Sequence, residues 1–274
     1  MLGVRGRGGI IENVNEAPAP TKESFLKTLH DDPEGHYAEY TRRFGNVLNA
    51  DNAATLFDEY NADPAVNRVP VHTAASEVRD ALFERKLAEP APEGKDAVVF
   101  TAGGNAAGKS TIAELSKAGD ASHVVLDSTF SNAGHARNLV DKALGASKPV
   151  LIQYVMRPVD EAFRGMLERA NTEGRVVSIR QMLSSERGAW STVRDLQQEF
   201  ADDPRVQFQF FDNSGAAPRE TSAPPELKGY AESKTELHDI LDSEYRQGRI
   251  SEELYHRIGG TEVNRSAPEV QKGE

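Results

Sequence analysis

Along the chain the spacing of the apolar positions changes, and each change marks a different kind of element. Over residues 21–94 they recur at helical intervals. Tyr37, Tyr40 and Phe44 fall on one face, and Ala75, Val78, Ala81, Leu82 and Leu87 form a second stripe. Thr73 or Ser76 is the expected cap of that second helix, and Pro90-Ala91-Pro92-Glu93-Gly94 breaks it. From 95 to 215 short apolar runs alternate with helical stripes. Runs at 97–101, 123–126, 149–155 and 206–211 read as buried strands. Ala136, Leu139, Val140, Ala143 and Leu144 share one helix face. Val159, Ala162, Phe163, Met166, Leu167 and Ala170 make the strongest stripe in the chain. Two further helices are expected at 110–118 and 190–200. This order predicts an α/β fold: three layers, with a mainly parallel sheet covered by helices on both faces.

The flanks carry no such pattern. Residues 1–20 combine Arg5-Gly6-Arg7-Gly8-Gly9 with Ala17-Pro18-Ala19-Pro20 and are expected to be a disordered tail. Residues 216–230 are a Ser/Pro/Ala-rich linker. Residues 231–260 suit a helical C-terminal extension built on Leu237, Ile240, Leu241, Ile250 and Leu254, with a second tail at 261–274. The helical segment 21–94 and this extension would flank a core at 95–215.

Composition narrows the chemistry. No cysteine is present, which excludes disulfides and thiol catalysis. No run of 18 apolar residues and no apolar leader segment occur, so a cytoplasmic location away from membranes is expected. The net charge of −11 argues against a general nucleic-acid binder, because duplex affinity rests on neutralising phosphates. A phosphorylated small molecule would need local positive charge. Residues 164–187 supply it, with five Arg against three Glu.

One stretch joins strand to helix with glycines at the required places. Gly103-Gly104-Asn105-Ala106-Ala107-Gly108-Lys109-Ser110 matches the phosphate-binding loop in full, and Thr111 follows it. The loop must turn its backbone N–H groups inward around a phosphate, which glycine permits. The helix start adds unsatisfied donors and partial positive charge. Lys109 would reach the outer phosphates and the Ser110 hydroxyl would hold Mg²⁺, so the expected ligand is Mg-ATP.

A phosphate loop serves hydrolases and kinases alike. A kinase also needs a carboxylate beside the acceptor hydroxyl and arginines that close over the transferring group. Asp127 ends the run 123–126, at the sheet edge where the loop should lie. Two roles stay open for it: general base, or acid on the metal side. Arg157, Arg164, Arg169, Arg175 and Arg180 lie on or after the helix that follows the third strand. Arg169 and Arg175 flank the turn Asn171-Thr172-Glu173-Gly174 and are favoured as a lid, whereas Arg164 and Glu168 are spaced for a surface ion pair. Asn49, Asp51, His72 and Arg180 are candidates to touch an acceptor; Asn49 and Asp51 serve equally well as helix caps. Asn213 follows the last strand, where adenine would lie. His30, His36 and His123 lack metal-ligand spacing, and Trp190 reads as core.

These segments resemble the zeta-toxin family of kinases. The stretch from Thr101 to Thr111 is similar to its phosphate loop. Val150-Leu151-Ile152-Gln153-Tyr154-Val155-Met156-Arg157-Pro158, followed by Glu161-Ala162-Phe163, is similar to a later strand and helix start. Gly174-Arg175-Val176-Val177 resembles the arginine after the lid turn, and Phe211-Asp212-Asn213-Ser214-Gly215 the last strand and the turn after it. Gly45-Asn46-Val47-Leu48-Asn49-Ala50-Asp51-Asn52-Ala53 and Val71-His72-Thr73-Ala74-Ala75 resemble segments that precede the domain. The resemblance spans roughly residues 45–215. It implies a kinase using ATP and Mg²⁺. Better-known members phosphorylate a hydroxyl of UDP-N-acetylglucosamine, and a plant-pathogen effector of similar fold phosphorylates NAD. By position it implies Lys109 and Ser110 on phosphate and metal, Asp127 as base, and Arg169 and Arg175 as phosphate clamps. It also admits an antitoxin or chaperone protein as partner.

The chain departs from the family in one respect. Members carry two acidic residues near the strand end after the loop helix, and a long insert before the next strand. Here only 18 residues separate Lys109 from Asp127, so Asp127 also matches a different family strand, one that carries a Glu. The expected activity is phosphoryl transfer to a nucleotide-type small molecule. The alternatives are a phosphate-loop NTPase without an acceptor and a catalytically weak, antitoxin-like nucleotide-binding module.

Overall fold

The computed structural model describes residues 19–259, apart from 175, 216 and 225. The tails expected at 1–20 and 261–274 lie outside the described residues, save positions 19 and 20. Upstream of the phosphate loop the chain forms α1 (Lys22–Asp31), α2 (Pro33–Phe44), β1 (Val47–Asn49), α3 (Ala50–Ala54), α4 (Asp58–Ala62) and α5 (Pro64–Ala88). From the loop strand onward come β2 (Val98–Ala102), α6 (Lys109–Leu115), α7 (Ala118–Ala121), β3 (Val124–Asp127), α8 (Ala133–Gly145) and β4 (Val150–Met156). They are followed by α9 (Val159–Glu173), α10 (Ile179–Glu199), β5 (Val206–Asp212), β6 (Arg219–Thr221), α11 (Tyr230–Arg246) and α12 (Glu252–Gly259).

Among the described residues the strands form one six-stranded sheet in the order β1-β3-β2-β4-β5-β6. All pairs are parallel except β5 with β6. A parallel sheet needs cover on both faces, and the side chains alternate accordingly. Val98, Phe100, Ala102, Leu126, Ile152 and Tyr154 point into the main core with α5, α8 and α10. Val99, Val125 and Leu151 face the other way, toward α6 and α7. The α/β class, the parallel sheet and the helices on both faces are therefore as the apolar pattern predicts.

Five expectations about single elements need correction. The segment 21–94 is not wholly helical: β1 is an edge strand of the sheet, and Phe25, Leu29, Tyr40 and Leu48 belong to the same core as the central strands. Neither Thr73 nor Ser76 caps a helix. Helix α5 begins at Pro64, with the Asp63 side chain accepting from the Val66 N–H, and both residues lie inside it. The 110–118 helix breaks at Lys117, whose φ of 51° is left-handed, into α6 and α7. Helix α10 starts at Ile179, well before Trp190, because Ser178 caps it by accepting from the Gln181 N–H. The linker at 216–230 also contains the short strand β6. Helices α11 and α12 pack on α9 and α10 through a second apolar cluster that includes Phe163, Leu183, Leu237, Leu241 and Ile258. Among the described residues, no helix is long and apolar enough to cross a membrane.

Candidate active site

The carboxyl edge of the sheet is built by register. Asn49, Asp127 and Thr101 stand opposite one another on β1, β3 and β2. In a parallel sheet such partners point to the same face, so three polar side chains meet in a row. Asn49 Nδ2 donates to Asp127 Oδ2 at 2.6 Å, and Thr101 Oγ1 donates to Asp127 Oδ1 at 2.5 Å. The Ser110 hydroxyl lies 3.3 Å from the same Oδ2. The strand β1 is only three residues long, and a buried phenol holds it: Tyr40 OH donates to the Val47 carbonyl at 2.9 Å and accepts from the Asn49 N–H at 2.7 Å. Burial pushes the Tyr40 hydroxyl up to about 12, so it stays protonated and able to donate.

The phosphate loop hangs from β2. Its two key glycines have left-handed φ, +140° at Gly103 and +94° at Gly108. A Cβ would strike the Val155 carbonyl at 2.3 Å in the first case and Asn213 Nδ2 at 2.3 Å in the second, so neither position tolerates a side chain. Three contacts hold the loop from behind. Gly103 N–H donates to Thr129 O at 3.1 Å. Asn213 Nδ2 donates to Ala107 O at 2.8 Å. Ser185 Oγ, on α10, accepts from Asn105 Nδ2 at 2.8 Å and from its backbone N–H at 3.3 Å. The Lys109 ammonium folds back onto the loop, 3.3 Å from Gly103 O and 3.0 Å from Gly104 O. Desolvation lowers its pKa, Asp127 and Asp51 oppose that shift, and Arg169 adds to it.

These groups open on one cleft of about 1010 Å³. The stretch Asn105–Thr111 and Asp127 form its floor. The α5 face carrying Arg68, His72, Ser76 and Arg79 forms one wall, and Arg169 and Arg180 come from α9 and α10. Asn49 and Asp51 line it as well. Five lining residues are Arg or Lys (Arg68, Arg79, Lys109, Arg169, Arg180) and two are Asp (Asp51, Asp127). Arg79 is paired with Asp80 at 2.7 Å, and the remaining lining groups still leave a local excess of two positive charges, which in a chain of net charge −11 favours an anionic ligand. Burial lowers the pKa of His72, Arg79 and Arg68 reinforce the effect, and Asp51 opposes it.

The structure thus brings together Asn49, Asp51, His72, Lys109, Ser110, Asp127, Arg169 and Arg180. Gly103 and Gly104 shape the loop from beneath and do not line the cleft. Asn213, expected beside adenine, lies behind the loop and fastens Ala107 instead. Arg175 lies outside the described residues. Arg164 is drawn away to Glu244 on α11, at 3.7 Å, in place of the expected Glu168. Arg157 pairs with Glu161 at 3.4 Å. His123 Nε2 contacts the Lys86 carbonyl at 2.5 Å, and Trp190 packs against the main core. Sequence reasoning missed Arg68, Arg79, Thr101 and Ser185. The two arginines share a helix face with His72 and Ser76, beside the apolar stripe of Val71, Ala75, Val78 and Leu82; that polar stripe was the available signal. Thr101 and Ser185 had none, since each acts through a contact distant in sequence.

Glu186, also missed, stands on α10 against the loop: a Cβ on Gly104 would come within 3.3 Å of its Cα. Burial pushes its carboxyl from 4.5 up to about 7, with Arg187 opposing. The raised folded value means this group's contribution to stability is complete below about pH 4.5 and is lost as pH rises through about 7. The shift corresponds to about 3 kcal/mol, which its exposed part screens to ~1–2 kcal/mol. Urea denaturation of Glu186→Gln is therefore expected to match wild type near pH 4 and to exceed it by ~1–2 kcal/mol near pH 8. A difference that does not change with pH would contradict a desolvated carboxyl.

The order of these parts, loop then Asp127 then the arginines on α9 and α10, brings the family comparison into focus. Residues 120–218 match the zeta toxin family model. The resemblance read from the sequence holds on that stretch. The zeta toxin match takes in Asp127, Arg169, Arg180 and Asn213, and begins downstream of the phosphate loop and of β1. Two solved structures are similar at low identity. The AvrRxo1-ORF1:AvrRxo1-ORF2 complex with sulphate ions shares 13% identity at a TM-score of 0.41, covering 65% of this chain and 80% of that one. The native complex of the same pair shares 14% at 0.41, covering 65% and 76%. No curated protein is a significant match.

Proposed function

We propose that this chain is a kinase that transfers the γ-phosphoryl group of Mg-ATP to a hydroxyl of an anionic, nucleotide-type small molecule. The observation that carries the reading is the juxtaposition of Lys109, Ser110 and Asp127 at the foot of a cleft whose other walls bear Arg68, Arg79, Arg169 and Arg180. The zeta toxin match over 120–218 supports the kinase class.

The loop N–H groups and Lys109 would bind the β- and γ-phosphates. The hydroxyl of Ser110 and the carboxylate of Asp127, 3.3 Å apart, are hard oxygen donors suited to Mg²⁺. Bound there, the ion would neutralise charge developing on the phosphates. Asn49 and Thr101 fix the orientation of Asp127. Arg169 and Arg180 face the loop across the cleft, where cations offset the spreading negative charge of the transition state. Positive charge of Arg68 on the α5 wall, away from the loop, is the reason for an anionic acceptor.

The test is incubation with γ-labelled ATP and a panel of UDP-sugars, NAD and nucleosides. The expected result is a labelled acceptor whose formation requires Mg²⁺. Release of free phosphate alone would make the chain an NTPase, and nucleotide binding without any product would make it a binding module.

A further inference from the structure

Phosphoryl transfer to a hydroxyl leaves one proton to place. The acceptor O–H bond breaks as the O–P bond forms, the bond from Pγ to the bridging oxygen breaks with its electron pair going to ADP, and the proton needs a base. Asp127 is poorly free for this. Its Oδ1 accepts from Thr101, its Oδ2 accepts from Asn49, and the same Oδ2 faces the Ser110 hydroxyl on the metal side.

The topology supplies another carboxylate. Because β1 lies beside β3 in parallel register, the chain leaves the sheet at Asn49 on the same carboxyl edge as Asp127. Asn49 then caps α3: its Oδ1 accepts from Asp51 N–H at 2.6 Å and from Asn52 N–H at 3.2 Å. That cap sets the backbone of Asp51 in the first turn. Asp51 is exposed and lines the cleft. Its charge acts both on Lys109, on the loop side, and on His72, on the α5 side. It therefore shares the cleft with Lys109 of the loop and His72 of the α5 wall, and it and Asp127 are the two carboxylates among the described lining residues.

We infer that Asp51 is the general base, orienting the acceptor hydroxyl and taking its proton, while Asp127 serves the metal side. One residue, Asn49, positions both carboxylates, through its Nδ2 on one and its Oδ1 on the backbone of the other. This inference rests on the kinase reading above.

The experiment compares Asp51→Asn and Asp127→Asn with wild type, using γ-labelled ATP and whichever of UDP-N-acetylglucosamine or NAD wild type labels. Asp51→Asn is expected to lower kcat by ~10²–10⁴-fold. Calorimetry should find its Mg-ATP affinity, and its half-maximal Mg²⁺ concentration, within about twofold of wild type, as expected of a group that acts only on the transferred proton. Transfer by Asp51→Asn within about tenfold of wild type would overturn the assignment, the usual contribution of a general base being larger. A parallel loss of Mg-ATP affinity would also overturn it, making Asp51 a nucleotide-binding group. Failure of wild type to label these or any other member of the UDP-sugar, NAD and nucleoside panel would remove the kinase reading itself, and this inference with it.

Discussion

Lys109→Ala is expected to abolish Mg-ATP binding in a titration calorimeter and to remove product formation. The ammonium is the one positive group inside the loop, and its surroundings make it act at close range. Burial costs it water, and the pKa falls accordingly. In this state its hydrogen bonds go to the carbonyls of Gly103 and Gly104. Those partners are neutral, so a phosphate oxygen that replaces them gains a charge-assisted bond. Deleting one donor aimed at developing charge costs about 10²–10³ in kcat, and here the ground-state phosphates lose their counter-charge as well. The fold should survive, because the loop is held by Thr129, Ser185 and Asn213, none of which involves Lys109. An unchanged melting temperature with no heat of ATP binding is the expected pair of results. Undiminished turnover would take the loop out of the mechanism.

The loop and the central strands were legible because both are local. A strand buried on two faces writes itself as a continuous apolar run, and β2 to β5 follow the runs within a residue or two at their ends. The phosphate loop needs its glycines at fixed offsets, as the clashes of a Cβ at Gly103 and Gly108 demonstrate. What stayed hidden depends on distant partners. Strand β1 has three residues, too few for any period to register, and exists because β3 lies beside it and Tyr40 clamps it. The start of α5 was misread because its first seven residues, Pro64 to Pro70, carry two prolines and expose Val66 and Val69, which obscures the apolar stripe. The cleft shows the same division. Lys109 and Ser110 were visible in their motif, whereas the bond from Asn49 to Asp127 spans 78 residues of sequence and that from Thr101 spans 26. The acceptor side, with Arg68 and Arg79 from α5, comes from a segment whose only sequence signal was a polar helical stripe.

Asp127→Asn is expected to raise the Mg²⁺ concentration for half-maximal transfer and to lower transfer at fixed Mg²⁺ by about 10²-fold or more, an electrostatic loss of the size seen when one preorganised group is removed. The carboxamide keeps the shape of the side chain and an oxygen for the Thr101 hydroxyl, but turns an amino group toward Asn49 Nδ2. Donor would then face donor across a contact now 2.6 Å long. That conflict is worth ~1–3 kcal/mol of stability, so a loss of activity alone would not separate metal handling from a disturbed edge of the sheet. The exchange Asn49→Asp with Asp127→Asn does separate them. It restores a donor to an acceptor between β1 and β3, and a carboxylate at position 49 still caps α3 by accepting from the Asp51 and Asn52 N–H groups. Stability should return toward wild type in urea denaturation while the Mg²⁺ requirement stays high, because the negative charge has moved off the position beside Ser110. Recovery of wild-type Mg²⁺ dependence along with stability would mean that Asp127 only supports the sheet edge, and that the metal is held elsewhere in the cleft.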